Sequence, residues 1–284
     1  MTATVKNVLI IANLSKKGAH QLTDEMSAYF DSLGIEIQKH VFSGKPEPFT
    51  PRPADLTVVL GGDGTVLYSA RLTAGLNIPI FAVNLGTFGF LAEISSREWR
   101  EAIERYFQGA MSLSRRVMFN ISLIRKGEVI ESHCCLNDGV IASTGMAKIV
   151  NLKVNISDQE VIGYRADGII LATPTGSTAY SMAAGGPIVH PELAAVIINP
   201  INPFTLSNRP LVVPADEEIS IQVKKQQRTE LVLTIDGQDV IPLLPGDEIV
   251  VRKNHCTADL ISFKRRNFYE VVRMKLGWKG GPHD

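Results

Sequence analysis

The sequence has only three cysteines, two of them adjacent at Cys134 and Cys135, and no surplus of either charge, with 29 Lys and Arg against 29 Asp and Glu. An odd, clustered cysteine set makes a poor disulfide framework and points to a reducing compartment, most simply the cytoplasm. The cancelled charge gives no electrostatic case for nucleic acid or a membrane surface as partner. Long hydrophobic runs are missing as well: the first apolar stretch, residues 8–12, is too short for a signal peptide, and no window reaches the length of a membrane span. No internal repeat, low-complexity tract, Ser-His-Asp set or Cys-His nucleophile pair stands out. His133-Cys134-Cys135 lacks a second cluster at ligand spacing, and adjacent strand residues face opposite sides, so it reads as ordinary strand. What the 284 residues do have is 45% hydrophobic content, enough for one large or two ordinary cores.

The stretch that organises the rest is Gly61-Gly62-Asp63-Gly64-Thr65. It follows Leu56-Thr57-Val58-Val59-Leu60, a β-prone run without alternation that reads as a buried parallel strand. It precedes apolar positions 66, 67, 70 and 72, which suit a helix. Three glycines in four positions allow positive φ and remove the Cβ atoms that would keep a ligand from the amides of Gly61, Gly62, Gly64 and Thr65. With the helix dipole, those amides attract phosphate. Asp63 conflicts with this, because a carboxylate beside phosphate repels it unless a metal ion or a transferable proton intervenes. Known glycine loops do not fit: residues 62–67 lack the third glycine of the dinucleotide fingerprint, and the Lys of a P-loop is absent. A capped helix with Asp63 in the turn is the plain alternative.

The chain opens as a βαβ unit: a strand at 8–12, a helix through Leu22, Met26, Tyr29, Phe30 and Leu33 ended by Gly34, then a strand from Ile35. Pro46, Pro48, Pro51 and Pro53 make residues 43–53 a surface loop. A further strand at 78–83 leads into Asn84-Leu85-Gly86-Thr87-Phe88-Gly89-Phe90-Leu91, a second glycine-bearing loop. Two such loops at the carboxyl ends of parallel strands suit one crevice. Trp99, Ile103, Tyr106 and Phe107 mark a helix ending at Gly109. From residue 111 the pattern changes to short strands at 119–124, 129–135, 149–156, 219–223, 231–235, 247–251 and 259–263, with a turn at Lys126-Gly127-Glu128. The expectation is an α/β N-terminal domain over 1–110, Rossmann-like with a parallel sheet, and an all-β, sandwich-like domain over 111–264. The tail, 265–284, forms a helix or a strand and returns to the first domain.

A second constellation lies within the β-rich half. A buried strand at 169–172 runs into Thr173-Pro174-Thr175-Gly176, after which Ser177 or Thr178 caps a short helix of small residues ending at Gly185. Such a helix packs tightly on a sheet with its hydroxyls as local caps, or it serves a ligand. Asp167 before the strand, able to hold ribose hydroxyls, and Tyr180 in the helix, able to border a base, favour the ligand. Asn137-Asp138 suits a nucleoside or an Asx turn. Asp236-Gly237-Gln238 is a hairpin turn first and a ligand contact second. Lys148, Arg165 and Arg209 balance phosphate charge or are solvated surface residues.

Taken together, these motifs resemble the NAD kinase family. The resemblance rests on Gly61-Gly62-Asp63-Gly64-Thr65, Asn84-Leu85-Gly86 through Phe90-Leu91, Asn137-Asp138, Asp167-Gly168 through Tyr180-Ser181, Gly185-Gly186-Pro187, Arg209-Pro210-Leu211-Val212 and Asp236-Gly237-Gln238. It covers most of the chain. The middle motif is highly specific, while lipid kinases and phosphofructokinases share the glycine turn. The resemblance implies transfer of the γ-phosphoryl group of ATP, or of polyphosphate in some members, to the adenosine 2′-hydroxyl of NAD. It also implies Mg²⁺ and a homo-oligomer, tetramer or dimer. Carried onto this chain, Asp63 is the proton acceptor. Gly64, Asn137, Asp138, Lys148, Arg165, Asp167, Thr178, Ala179, Tyr180, Ser181, Met182, Ala183 and Gln238 contact NAD beside Asp63. Members commonly carry Asn-Glu where this chain has Asn137-Asp138. The missing methylene shortens the reach by about 1 Å, so this position contacts the ligand through water or not at all. A lipid or sugar kinase leaves 167–187 unexplained, and Asp63 argues against a non-catalytic NAD(P)-binding regulator.

Overall fold

The computed structural model describes residues 5–145, 149–157, 159–205, 207–227, 229–262 and 267–278. Two compact units divide the chain: Met1–Arg115 with Ala258–Asp284, and Arg116–Thr257.

In the first unit parallel strands run in the order Glu36–Phe42, Asn7–Asn13, Leu56–Gly61, Ile80–Asn84, the first of them a polar edge and the other three built on apolar runs. Leu260 pairs in parallel with Ile80, and the short strand Ile94–Ser95 pairs with the end of Ile80–Asn84. Val8, Ile10, Leu56, Val58, Leu60, Phe81 and Val83 share one core with Leu22, Met26 and Phe30 of helix Ala19–Ser32, and with Trp99 and Ile103 of helix Trp99–Phe107. The alternate residues Leu9, Ile11 and Val59 therefore face the other side, and helix Asp63–Thr73 packs against these same strands. From Asn7–Asn13 the chain steps one way to Glu36–Phe42 and the other way to Leu56–Gly61. The carboxyl ends of those two central strands form a topological switch point, the usual ligand position in open α/β sheets. Gly61 lies there. Helix Phe268–Leu276 resolves the open choice for the tail. Asn267 accepts from the Glu270 N–H while the Glu270 side chain accepts from the Asn267 N–H, a capping box, and Gly277 ends the helix at φ 63°.

The second unit is a sandwich. One sheet runs Leu211–Pro214, Ala195–Ile201, Gly168–Ala172, Asp138–Ser143, Leu231–Ile235, Asp239–Leu243, antiparallel throughout. Facing it are Gln159–Ala166, Val150–Ile156, Ile219–Val223 and Glu248–Ser262, with the hairpin Ser112–Arg125 and Glu128–Cys135. Phe119, Ile121, Leu152, Ile221 and Ile249 from these strands fill one core with Ile141, Ile169, Leu171, Leu233 and Ile235. The sheets approach closely at Gly139, where an added Cβ would lie 2.4 Å from Cδ1 of Ile121.

Two strands expected at 247–251 and 259–263 are one, Glu248–Ser262. Arg252 and Lys253 look like a break in the sequence, yet the strand runs through them and both are exposed, ion-paired with Glu218 and Asp216. Within Glu128–Cys135, Cys135 is buried and Cys134 half-buried. Among the described residues no three His, Cys, Asp or Glu side chains converge on a point that could hold a metal ion.

The hairpin is tied to the loop before Glu248–Ser262 by Arg125, whose Nε and Nη2 donate to the two oxygens of Asp247 at 2.8 Å each; the Leu244 N–H donates to Oδ2 at 2.7 Å. Burial by itself would raise the Asp247 carboxyl, but the Arg125 and Leu244 donors hold it below its ordinary value. The stabilisation is thus present above the unfolded value and is lost as pH falls through the folded one. Asp247→Asn is expected to lower the unfolding free energy in urea at pH 7, and the gap to the native chain should close as pH falls below about 4. A gap that persists in acid would assign the loss to shape rather than charge.

Candidate functional site

Asp63 is the first residue of helix Asp63–Thr73, preceded by Gly62 as an extended N-cap with φ −123° and ψ −171°. Its carboxylate reaches back to the second glycine-bearing loop. Oδ2 accepts the Phe90 N–H at 2.8 Å, and Oδ1 accepts those of Leu91 and Ala92 at 3.1 and 3.3 Å. That loop is itself shaped by Asn84, whose Oδ1 accepts the Gly86 N–H at 2.7 Å and whose Nδ2 donates to the Thr87 carbonyl at 3.0 Å. A Cβ at Gly89 would fall 2.0 Å from Asp63 Oδ1. The ammonium of Lys275, on the tail helix, lies 6.0 Å from the Phe90 ring centroid. Asp63 therefore joins the two loops that end adjacent parallel strands.

The glycines work differently from the expectation. None of Gly61, Gly62 and Gly64 takes positive φ, because an extended Gly62 leads directly into the helix. Gly61 is needed for space: its Cβ would lie 2.2 Å from Thr65 Oγ1. The Thr65 amide donates to the Gly62 carbonyl at 2.9 Å and is committed within the turn. Gly64 is exposed and Gly62 half-buried.

In the second unit, Asn137 and Asp138 sit where strand Asp138–Ser143 begins. The side-chain to main-chain bonds run from neither of them but from Asp236, which accepts the N–H groups of Leu136 at 3.0 Å, Asn137 at 2.8 Å and Asp138 at 3.1 Å. Asp236 and Gly237 take φ 50° and 66° in the tight turn between Leu231–Ile235 and Asp239–Leu243. Gln238 closes that turn through its N–H to the Ile235 carbonyl. From the next strand, Thr173 donates its hydroxyl to the Leu136 carbonyl at 2.6 Å and its N–H to the Asn137 carbonyl at 2.8 Å. Gly176 lets the chain pass Asn137, since a Cβ there would meet the Asn137 carbonyl at 2.2 Å. Asp138 is 4% exposed; burial, and then the neighbouring Asp236 charge, push its carboxyl from the ordinary 3.8 up to about 7. Burial likewise pushes the Cys135 thiol well up.

The small-residue segment is a 3₁₀ turn, Gly176–Thr178, and one helical turn, Tyr180–Ala183. Neither Ser177 nor Thr178 caps it, since Ala179 is the N-cap and makes no side-chain bond. Ser177 exchanges hydrogen bonds with the Val189 main chain. Ser181 is fully buried: its carbonyl accepts Nδ2 of Asn199 at 2.9 Å and the Gly186 N–H at 2.8 Å. A Cβ at Gly186 would meet Ser181 Oγ at 2.3 Å. Ser181 thus locks the segment onto the sheet. Tyr180 and Ala183 are exposed, and Thr178, Ala179 and Met182 half-buried.

Arg165 and Asp167 lie at the other end of strand Gly168–Ala172. Asp167 accepts from Asn202 Nδ2 at 3.0 Å, and the Arg165 guanidinium stands 5.3 Å over the Phe204 ring. Six residues of extended chain from Asp167 to Thr173 span roughly 20 Å, so these two are not gathered with Asn137 and Asp138 within the sheet. Lys148 lies outside the described residues. Asn84, Gly89 and Asp236 lie in motifs the sequence singles out, but the bonds and close approaches they make were not expected. A strand-ending Asn two residues before Gly was the legible signal for Asn84.

Because the folded Asp138 keeps a proton that the unfolded chain releases from about pH 4, its contribution to stability is full below that value and is lost as pH rises through about 7. Asp138→Asn is expected to melt several degrees higher than the native chain at about pH 8, with the gain disappearing toward pH 4. Equal gains at both values would remove the buried charge as the cause.

Residues 38–111 match a family model described as the ATP-NAD kinase N-terminal domain, and residues 136–263 match the ATP-NAD kinase C-terminal domain. The NAD kinase of Citrifermentans bemidjiense is 44% identical over 285 residues, covering 96% of this chain and 99% of its own. That of Treponema denticola is 38% identical over 277 residues, covering 97% and 98%. Among solved structures, yeast NADH kinase complexed with NADH superposes with a TM-score of 0.85 at 25% identity, over 97% of this chain and 88% of that one. An NAD kinase from Archaeoglobus fulgidus in complex with ATP gives 0.75 at 24% identity, over 96% and 99%, a likeness of fold. With both halves matched by the family models and relatives of this identity spanning nearly its whole length, the chain belongs to the NAD kinase family.

Proposed function

We propose that Asp63 takes the proton from the 2′-hydroxyl of the adenosine ribose of NAD as that oxygen attacks the γ-phosphorus of ATP. The new O–P bond forms as the bond to the bridging oxygen breaks, ADP leaves, and NADP results. Family membership makes the enzyme a phosphotransferase that converts NAD to NADP; the proposal concerns which residues do what. The observation that carries it is the placement of Asp63 at the switch point, with its carboxylate held by three main-chain N–H groups. A carboxylate has about four lone-pair sites, so one remains for a hydroxyl. Phosphoryl transfer asks chiefly for positioning and charge neutralisation, to which a general base adds a proton acceptor.

Gly62 and Gly64 present main chain and helix dipole to the donor's phosphates, ATP or polyphosphate, with Gly61 making room for Thr65 behind them. Asn137, Thr178, Ala179, Tyr180, Ser181, Met182, Ala183 and Gln238 hold NAD, Asp138 through water, joined by Lys148, Arg165 and Asp167. Tyr180, 48% exposed beside the small residues, supports a ring bordering a base. Without three converging ligand side chains among the described residues, Mg²⁺ comes as the counter-ion of the donor's phosphates. Assembly as a homotetramer or dimer is supported by the exposed Leu211 and Val212 on an edge strand. A cytoplasmic setting is supported by free cysteines and by the finding that no helix among the described residues is long and apolar enough to cross a membrane.

Asp63→Asn is expected to lower turnover at least about a hundredfold in a coupled assay of NADP formation, with NAD binding by calorimetry largely kept. Unchanged turnover would remove Asp63 from its role as proton acceptor.

A further inference from the structure

All the main-chain donors and acceptors of residues 136–138 are satisfied by Asp236 and Thr173. The three N–H groups enter the Asp236 carboxylate. The Leu136 and Asn137 carbonyls accept from Thr173, and the Asp138 carbonyl accepts the Asp236 N–H at 2.9 Å. With six donors and acceptors fixed, the main chain under Asn137 and Asp138 has one conformation.

A tight turn at this place requires only a residue that tolerates positive φ, for which Asn or Gly serves well. Asp236 is instead a carboxylate, 7% exposed, beside a second buried carboxyl on Asp138. Like charges in a poorly solvated place are costly, and the turn does not need one. What a carboxylate supplies that Asn does not is two oxygens that accept from three N–H groups, with no amide hydrogens turned against them.

We propose that Asp236 is the positioning residue for the nucleotide-contacting pair Asn137 and Asp138, fixing their main chain and placing a negative charge behind Asp138. The proposal rests on the reading that this pair contacts NAD. It has a consequence that a purely structural turn does not share. Burial and then the Asp236 charge act on the Asp138 carboxyl, and both carboxyls in turn act on the buried Cys135 thiol beside them. Asp236 thus supplies the charge that works with burial to keep the proton on Asp138. Removing that charge leaves burial alone, so Asp138 ionises at a lower pH.

The test is steady-state kinetics with NAD and ATP from about pH 5 to 9 on the native chain, Asp236→Asn, Asp138→Asn and Asn137→Ala, with melting temperatures alongside. The expected result for Asp236→Asn is a KM for NAD raised about tenfold, as for the loss of a charge-assisted hydrogen bond. Turnover and the KM for ATP change little, and the inflection of kcat/KM for NAD near pH 7 moves to lower pH. Asp138→Asn abolishes that inflection. If Asn137→Ala raises the KM for NAD while Asp236→Asn changes neither KM nor inflection, Asp236 is a turn residue only and the proposal is overturned. If Asn137→Ala also leaves the KM unmoved, the assignment of this pair to NAD has failed and takes the proposal with it. Should Asp236→Asn not fold, an inflection that survives in Asp138→Asn still overturns it.

Discussion

In each unit, one carboxylate receiving three main-chain N–H groups holds a loop in place. Asp63 does this for Phe90, Leu91 and Ala92; Asp236 does it for Leu136, Asn137 and Asp138. A loop at the end of a strand has N–H groups that no neighbouring strand satisfies, and a carboxylate satisfies several at once without bulk. The surrounding glycines follow from this arrangement. Gly89 is bare because Asp63 lies where its Cβ would be, and Gly176 because the Asn137 carbonyl does. Charge and absence of side chain are therefore two parts of one device.

The opposition between Asp63 and phosphate, visible in the sequence, has a structural answer. Three N–H donors stabilise the carboxylate independently of any ligand, so it remains at the helix start where an isolated charge would be repelled by a phosphate nearby. At Asp138 the balance differs. Its N–H is satisfied, but its carboxyl is buried beside another acid, and the protonated form persists to about pH 7.

Much of this fold was legible. Apolar runs at 8–12, 56–60 and 78–83 gave parallel strands with buried faces, and the change in pattern after residue 111 gave the sandwich, because both depend on side-chain period. The single strand Glu248–Ser262 was not legible, since Arg252 and Lys253 carry the same composition on a solvated strand as in a loop. Ser177 and Ser181 were read as a cap and a ligand contact. They bond to Val189 and to residues Gly186 and Asn199, partners that only tertiary packing supplies. For Asp236, the turn was legible from the sequence, but the three N–H groups lie about a hundred residues away, and no local pattern encodes such a pairing.

The central claim is that the position of the Asp63 carboxylate, set by the loop it holds, governs phosphoryl transfer. Gly89→Ala tests it without touching Asp63, because the added methyl would occupy the place 2.0 Å from Oδ1. Turnover of NAD to NADP is predicted to fall by roughly a hundredfold, the effect of a displacement of about 1 Å at a reacting group, with the melting temperature measured alongside to show that the chain folds. A folded Gly89→Ala enzyme with native turnover would contradict the account.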